Sequence, residues 1–300
     1  MKTLTTIAAL FALFLSACAP TTTATTARPA GAAEGPAMWR VADEDTTIWL
    51  LGTIHALPQG YQWRTPAIDD AIDASDELVL ETVLSGDPGE AAGLLMRFGV
   101  SPNLPPLAQR LPAESRPVLG AMIARGSLPE SLLNGLESWA AGLMLVGVTL
   151  SDLDVNPNNG VEEQLQQRFR LAEKPISGME TPAAQFGYFD GLSEEAQRFF
   201  LTTIVQEPDD VRSEFAAMLE AWRVGDEAAI AATFDDDLVM SDELRNALLT
   251  RRNVDWAGQI AARLDEPGTV FVAVGAGHLV GRDSVQHFLQ RRGIEAVRVQ

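Results

Sequence analysis

The chain has 300 residues, 46% of them hydrophobic, and a formal net charge of −19. Without a leader containing Lys2, 21 basic residues would stand against 41 acidic ones, a net charge near −20. This excess of negative charge argues against a nucleic-acid partner and against electrostatic adhesion to anionic lipid. The single cysteine, Cys18, leaves no partner for an internal disulfide and no set of thiolates for a metal.

The first 17 residues have the pattern of a lipoprotein signal peptide. Lys2 precedes the apolar stretch Ile7 to Leu15, which is too short for a membrane span. Leu15-Ser16-Ala17-Cys18 resembles the bacterial lipobox, in which the cysteine is lipidated after cleavage just before it. We therefore expect a lipid anchor on Cys18 and a domain held outside the cytoplasm in the cell envelope, in the periplasm of a Gram-negative cell. The alternative is an ordinary signal peptide with an incidental cysteine.

Residues 18–37 are predicted to be a disordered tether, because Pro20 to Ala37 is rich in Thr, Ala, Pro and Gly and almost free of large apolar side chains. Residues 38–300 are predicted to form an α/β (α+β) domain. Its mixed β-sheet is expected from the N- and C-terminal parts, with a large helical insertion over about residues 87–237.

The first predicted elements are a hairpin, a helix and a strand. Trp39 to Ala42 and Thr46 to Leu51 have the composition of paired strands. Pro66 is favourable in a first helical turn and opens the next helix. The strand Glu77 to Glu81 follows, and we expect it to lie beside the Thr46 to Leu51 strand in a β-α-β unit.

The remaining elements alternate helices with three further extended or strand regions. Within the insertion, Pro129 to Leu150 has a helical pattern and Lys174 to Glu180 an extended one. A long helix is predicted from Asp242 to Leu264, followed by a strand from Thr269 to Val274. The last predicted elements are a helix over Ser284 to Arg292 and a strand over Glu295 to Val299.

Two similar segments near opposite ends of the chain suggest one site. Gly52-Thr-Ile-His55 and Gly275-Ala-Gly-His278 each follow an apolar strand, and the chain has only three histidines. Strand ends carry the chemistry of α/β proteins, and imidazole is the commonest metal ligand and a general base. Either histidine alone could be a hydrogen-bonded core residue. The matching pair favours a functional site.

Three charged residues are candidate partners of these histidines. Glu81 ends a strand, although it could be a solvated strand-end acid. Glu180 ends an extended segment before a Thr-Pro helix start, where an acid could instead favour the helix dipole. Arg252 falls within the apolar face of its helix and needs an anionic partner, so a structural ion pair is the alternative to a role in catalysis.

These motifs resemble the TraB/GumN family, which is related to Tiki-type metalloproteases. The matching segments are Trp49 to Pro58, Glu81, Gly160 to Leu165, Lys174 to Thr181, Arg252-Asn253 and Val272 to Gly281. The resemblance implies a metal-dependent hydrolase, a peptidase acting on peptide or protein substrates. A divalent ion, Mn, Co or Zn, would be held by His55, His278 and Glu81, with catalytic roles for Glu81, Glu180 and Arg252. The family often has Asp in place of Glu162, whose role stays open.

Two other functions remain open at this stage. One is metal-independent hydrolysis, with a histidine as base and a glutamate that orients it. The other is a non-catalytic envelope lipoprotein that binds a peptide, pheromone or metal ion in the same pocket. No Gly-x-Ser-x-Gly and no His-Glu-x-x-His is present in the sequence, so serine-hydrolase and zincin chemistry have no motif.

Overall fold

A six-stranded mixed sheet organises the computed structural model, which describes residues 35–84, 87, 89–206, 208–234 and 240–300. The strand order is β4-β3-β5-β2-β1-β6. The strands are β1 (Met38–Ala42), β2 (Thr46–Thr53), β3 (Glu77–Leu80), β4 (Ile176–Gly178), β5 (Gly268–Gly275) and β6 (Val297–Arg298). The predicted hairpin and the mixed α/β fold class are confirmed.

Four neighbouring strands, β4, β3, β5 and β2, are parallel, while β1 and β6 pair antiparallel at one edge. The prediction that β3 lies beside β2 is wrong, because β5 lies between them and pairs with both. The apolar run of β5 explains its central place, since its side chains from Val270 onward are buried on both faces of the sheet. The carboxyl ends of all four parallel strands meet at one edge.

Side chains of β2 and β5 alternate between two apolar layers. Ile48, Leu50 and Val272 pack with Trp256 and Ile260 in the smaller core. The opposite faces of the same strands contribute Leu51, Phe271 and Ala273 to the larger core, which the helical part of the chain covers. Both faces of the sheet are therefore buried. The carboxyl ends of its parallel strands are the part of the sheet that can form a site.

Most of the helices come between β3 and β5 in the sequence. They are α1 (Pro66–Ala74), α2 (Glu90–Phe98), α3 (Arg116–Arg125), α4 (Glu130–Gly135), α5 (Ser138–Asp152), α6 (Val161–Leu171), α7 (Pro182–Asp190), α8 (Glu194–Ile204), α9 (Pro208–Arg223), α10 (Glu227–Phe234), α11 (Asp242–Arg245), α12 (Arg251–Arg263) and α13 (Val285–Gln290). No helix within the described ranges is both long and apolar enough to cross a bilayer.

Two predicted helices differ from the structure. The helix predicted over Pro129 to Leu150 is divided into α4 and α5, since Leu136 takes an extended conformation between them. The helix predicted over Asp242 to Leu264 contains a π-helical segment, Asn246–Thr250, between α11 and α12. Such segments inside α-helices are frequently found at functional sites, and this one ends two residues before Arg252.

Candidate functional site

The four predicted strand-end residues all lie at the carboxyl edge of the parallel strands. His55 follows β2, Glu81 follows β3 and Glu180 follows β4. His278 lies in a 3-10 turn, Ala276–Leu279, directly after β5. Because β4, β3, β5 and β2 are adjacent in that order, these residues come from neighbouring strands.

Arg252 joins three of these residues in one hydrogen-bonded cluster. Its Nε and Nη2 donate to the two oxygens of Glu180 at 2.9 and 3.0 Å, and Nη2 donates to Glu81 Oε2 at 2.7 Å. Its Nη1 lies 3.1 Å from the Leu248 carbonyl oxygen and 3.2 Å from His278 Nε2. A guanidinium has five N–H groups, and these contacts account for all five.

Aromatic rings enclose the same guanidinium. Its Cζ lies 4.7 Å from the centroid of the Trp256 ring and 5.6 Å from that of Tyr188. The Arg252 side chain is only 6% exposed. Cation–π contacts of this kind stabilise a desolvated cation. The ring of Trp256 also packs against the imidazole of His278, with the centroids 4.4 Å apart.

Asn253 determines which nitrogen of His278 carries the proton. The Asn253 amide nitrogen donates to the Asp283 carbonyl oxygen at 2.6 Å, so its Oδ1 faces His278 Nδ1 at 2.6 Å. Nδ1 is therefore the N–H, and the lone pair of Nε2 points to Arg252. Burial lowers the pKa of His278 to about 3, and the charge of Arg252 also disfavours protonation. His278 is neutral at physiological pH.

Glu81 is a buried but ionised carboxylate. Its Oε1 accepts from the backbone N–H of Gly275 at 2.7 Å, and its Oε2 accepts from Arg252 and from Gln185. Burial alone would raise the pKa of Glu81, but the charge of Arg252 and the Gly275 hydrogen bond hold it well below its usual range. Glu81 is thus a fixed negative charge at the centre of the sheet edge.

Glu180 lies behind Arg252 and is only 3% exposed. Besides the two bonds from Arg252, its Oε1 accepts from the indole N–H of Trp256 at 3.0 Å. Burial raises the pKa of Glu180, and the nearby charge of Glu81 adds to this, while the Arg252 bonds oppose it. The surroundings of Glu180 are those of a residue that holds Arg252 in place.

His55 forms a separate pair with Glu162. Its Nδ1 lies 2.7 Å from Glu162 Oε1, an oxygen that also accepts from the hydroxyl of Thr53. Burial lowers the pKa of His55, but the carboxylates of Glu162 and Glu81 together outweigh burial and raise the pKa to about 9. About 30% of the His55 side chain is exposed, whereas that of His278 is 1% exposed. The two histidines thus have different surroundings and different protonation states.

The start of α6 brings Glu162 to His55. The backbone N–H of Val161 donates to the Ile54 carbonyl oxygen at 3.1 Å, which ties the helix to the end of β2. A Cβ atom on Gly160 would overlap the carbonyl oxygen of His55. Glycine is therefore needed for this close approach, and Glu162 follows it in the first helical turn.

A cavity of about 570 Å³ opens over this part of the sheet edge. Its floor includes His55, Glu81, Glu162 and Arg252, while Glu180 and His278 lie outside its lining. The walls come from α6, α7 and the chain after β3. Their side chains are partly apolar and partly polar, among them Leu84, Gln166, Arg170, Gln185, Tyr188 and Phe189. The site thus has an accessible layer and a buried supporting layer.

The predicted metal ligands direct their donor atoms to other partners in this arrangement. The Nε2 lone pair of His278 points to Arg252, and both oxygens of Glu81 accept hydrogen bonds. Within the described part of the chain, no group of three or more His, Cys, Asp or Glu side chains is arranged to hold a metal ion. As placed, these residues do not fit a divalent ion unless Arg252 moves.

Several residues of the site were not predicted from the sequence. Glu162 had no assigned role, Asn253 was only part of a matching motif, and Tyr188 carried no signal. Trp256 could have been found, because it lies four residues after Arg252 and hence on the same helical face. The predicted lipidation site, Cys18, lies outside the described residues.

Comparison with known proteins identifies a family. The profile of the TraB/PrgY/gumN family matches residues 37–298, which is nearly all of the chain beyond its first 36 residues. No curated protein matches the chain significantly. No solved structure matches it either.

Proposed function

This chain belongs to the TraB/PrgY/gumN family, and we propose that it is a hydrolase that cleaves peptide bonds in peptide or protein substrates outside the cytoplasm. The observation that carries the proposal is the pair formed by His55 and Glu162 on the floor of a 570 Å³ cavity. In hydrolytic sites of several unrelated folds, a carboxylate bound to one imidazole nitrogen orients the ring for proton transfer.

In the proposed reaction, Nε2 of neutral His55 takes a proton from a water molecule whose oxygen attacks the carbonyl carbon of the substrate. The same nitrogen then gives that proton to the leaving amine as the C–N bond breaks. Glu162 holds Nδ1–H and stabilises the imidazolium formed between the two steps. Thr53 keeps the carboxylate in place through its hydroxyl.

Glu81 and Arg252 supply fixed charge beside this pair. Arg252 keeps Glu81 ionised, and the negative charge of Glu81 favours the protonated state of His55. Since every N–H of Arg252 already has a protein partner, we assign it to positioning. We assign no step to a divalent ion, because the donor atoms of the predicted ligands do not fit one as placed. Metal dependence stays a prediction from the family resemblance.

The location in the cell envelope is also part of the proposal. Lipidation of Cys18 would tether the domain to a membrane while the cavity stays open to the aqueous phase. Cell fractionation tests this part. The wild-type protein is expected in the membrane fraction, and Cys18→Ser is expected to be released or to stay unprocessed. A Cys18→Ser protein that fractionates and is processed like the wild type would contradict the anchor.

The second candidate is a non-catalytic protein that binds peptides in the same cavity. The observation that favours it is the raised pKa of His55, about 9, which leaves the imidazole protonated at neutral pH. A cationic imidazole between walls that are partly apolar and partly polar suits a peptide carboxylate as well as it suits an acid catalyst. Cleavage of a bound peptide separates the two functions.

The test uses the purified full-length protein and a library of synthetic peptides, with products identified by mass spectrometry. We expect cleavage by the wild type and no cleavage by His55→Ala. The matched control is His287→Ala, which removes the exposed third histidine outside the site and should cleave like the wild type. Intact peptides bound by the wild type without cleavage would contradict hydrolysis and favour the binding protein.

A further inference from the structure

We propose that Arg252 fills the place that the family resemblance gives to a divalent metal ion, so that this site works with an arginine as its fixed cation. The inference concerns the site of the proposed hydrolase, and its catalytic meaning rests on that function. In physical terms, Arg252 and a divalent ion cannot occupy this position together. This exclusion can therefore be tested without a substrate.

Carboxylate oxygens surround the guanidinium of Arg252. Glu81 and Glu180, two acids from neighbouring strand ends, give three of their four oxygens to Arg252 within 3.2 Å. The remaining oxygen, Glu81 Oε1, accepts from the Gly275 N–H. Two buried carboxylates around one cation are what a metal site would also need. Here that cation is the guanidinium of Arg252.

The lone pair of His278 also points to Arg252. Asn253 fixes the proton on Nδ1, so Nε2 is the nitrogen that a metal would use, and Nε2 lies 3.2 Å from Arg252 Nη1. Metal–imidazole bonds are about 2.0–2.1 Å long for zinc. An ion at that distance along this lone pair would overlap the guanidinium. Arginine and ion therefore exclude each other.

The surroundings of Arg252 fit a planar guanidinium. The rings of Trp256 and Tyr188 lie within 5.6 Å of its Cζ. The Leu248 carbonyl oxygen, in the π-helical segment, accepts from Nη1. A fork of planar donors matches two carboxylates in a way that a single lysine charge does not.

Arg252 is consequently a positioning residue that acts through its neighbours. It forms ion pairs with Glu81 and Glu180 and lies against Nε2 of the His278 ring. Removing it would leave two acids and one imidazole lone pair facing the space it occupied. Carboxylate oxygens and imidazole nitrogens are both ligands that zinc accepts. The variant without Arg252 should therefore gain a metal site.

The experiment measures metal content and ion affinity of the full-length protein. The wild type is expected to purify with far less than one equivalent of metal and to show no thermal shift with Zn²⁺ or Mn²⁺. Arg252→Ser is expected to bind Zn²⁺ on the order of tenfold or more tightly than the wild type. The matched control is Arg251→Ser, which removes the exposed neighbouring arginine and should resemble the wild type.

Near-stoichiometric metal in the wild type, lost in His278→Ala, would overturn the inference. A folded Arg252→Ser that gains no Zn²⁺ affinity would overturn it as well. If Arg252→Ser does not fold, the metal content of the wild type decides alone. A failure of peptide cleavage would leave these measurements unaffected, so the two proposals can fail separately.

Discussion

Arg252 is the residue on which the buried layer of the site depends. Breaking a buried ion pair by removing one partner is costly, because the other charge stays buried without compensation. Arg252 balances Glu81 and Glu180, whose side chains are 10% and 3% exposed. The adjacent Arg251 is exposed. This contrast gives a matched pair of substitutions.

We predict that Arg252→Met lowers the free energy of unfolding by about 3–5 kcal/mol. Arg251→Met should change it by less than about 0.5 kcal/mol, as is usual at exposed positions. Urea denaturation followed by circular dichroism measures both. Equal effects of the two substitutions would show that the cluster contributes nothing specific to stability.

The pair formed by His55 and Glu162 predicts the pH dependence of the reaction. A general base works when deprotonated, so kcat/KM of the wild type should rise with pH until it levels near the His55 pKa of about 9. Glu162→Gln removes the charge that raises this pKa. The rise of kcat/KM with pH in this variant should therefore occur about one pH unit or more below that of the wild type.

Initial rates for one cleaved peptide between pH 5 and pH 10 (roughly the range in which histidine titrates here) measure this shift. Glu195→Gln, an exposed acid on α8, serves as the control and should keep the wild-type profile. If kcat/KM of Glu162→Gln rises at the same pH as that of the wild type, the pair of His55 and Glu162 is not the source of the pH dependence.

At the scale of single residues, the sequence predicted the strand-end members of the site. His55, Glu81, Glu180 and His278 could be predicted because buried strands deliver their next residues to a shared edge. The pairing of His55 with Glu162 could not, since 107 positions separate them in the numbering. Such a contact depends on how α6 packs against the end of β2.

Among the elements, the junction between α6 and β2 sets the geometry of the accessible layer. Gly160 precedes the helix and approaches the His55 carbonyl too closely for any side chain. Gly187, in the interior of α7, has open space where a Cβ would be added. The two glycines therefore respond to the same substitution in opposite ways.

We predict that Gly160→Ala costs about 1–3 kcal/mol, the usual range for inserting atoms into a packed site. It should also lower kcat/KM, because α6 must shift and carry Glu162 away from His55. Gly187→Ala should stabilise the protein by up to about 1 kcal/mol, as alanine favours helix over glycine. Thermal unfolding with parallel rate measurements tests this. A Gly160→Ala protein with wild-type rates would contradict the proposed role of the junction.

At the scale of elements, the main error was the prediction that β3 lies beside β2. The β-α-β pattern of β2, α1 and β3 predicted neighbours, and consecutive parallel strands usually are neighbours. The structure inserts β5 from the far end of the chain between them. No local pattern contains this information, because it arises from the closure of the N- and C-terminal parts. The π-helical segment before Arg252 could not be predicted either, since Asn246–Thr250 contains no Gly or Pro that would mark an irregular turn.

Over the described residues, the N-terminal and C-terminal parts of the domain close one sheet, and a mainly helical insertion connects them. β2 and β5 pair along eight positions, which fixes the two Gly-x-x-His segments side by side. The buried side chain of Gln300 bonds to Thr65 Oγ1 at 2.5 Å and to the Pro36 carbonyl oxygen, so the C-terminus is part of the same structure. Composition and periodicity predicted this division into sheet and insertion. The insertion supplies α6 and α7, which form walls of the cavity.

The central claim is that the two ends of the chain form one hydrolytic site, in which His55 acts on the substrate and His278 acts through Arg252. The most direct test is a double-mutant cycle on kcat/KM for one cleaved peptide, with His55→Ala, His278→Ala and the double variant. We expect each single substitution to lower kcat/KM by about 10²–10⁴-fold. The double variant should lose little more than the worse single one, because the residues act as a unit. Independent, multiplicative losses, or a wild-type rate in either single variant, would contradict the claim.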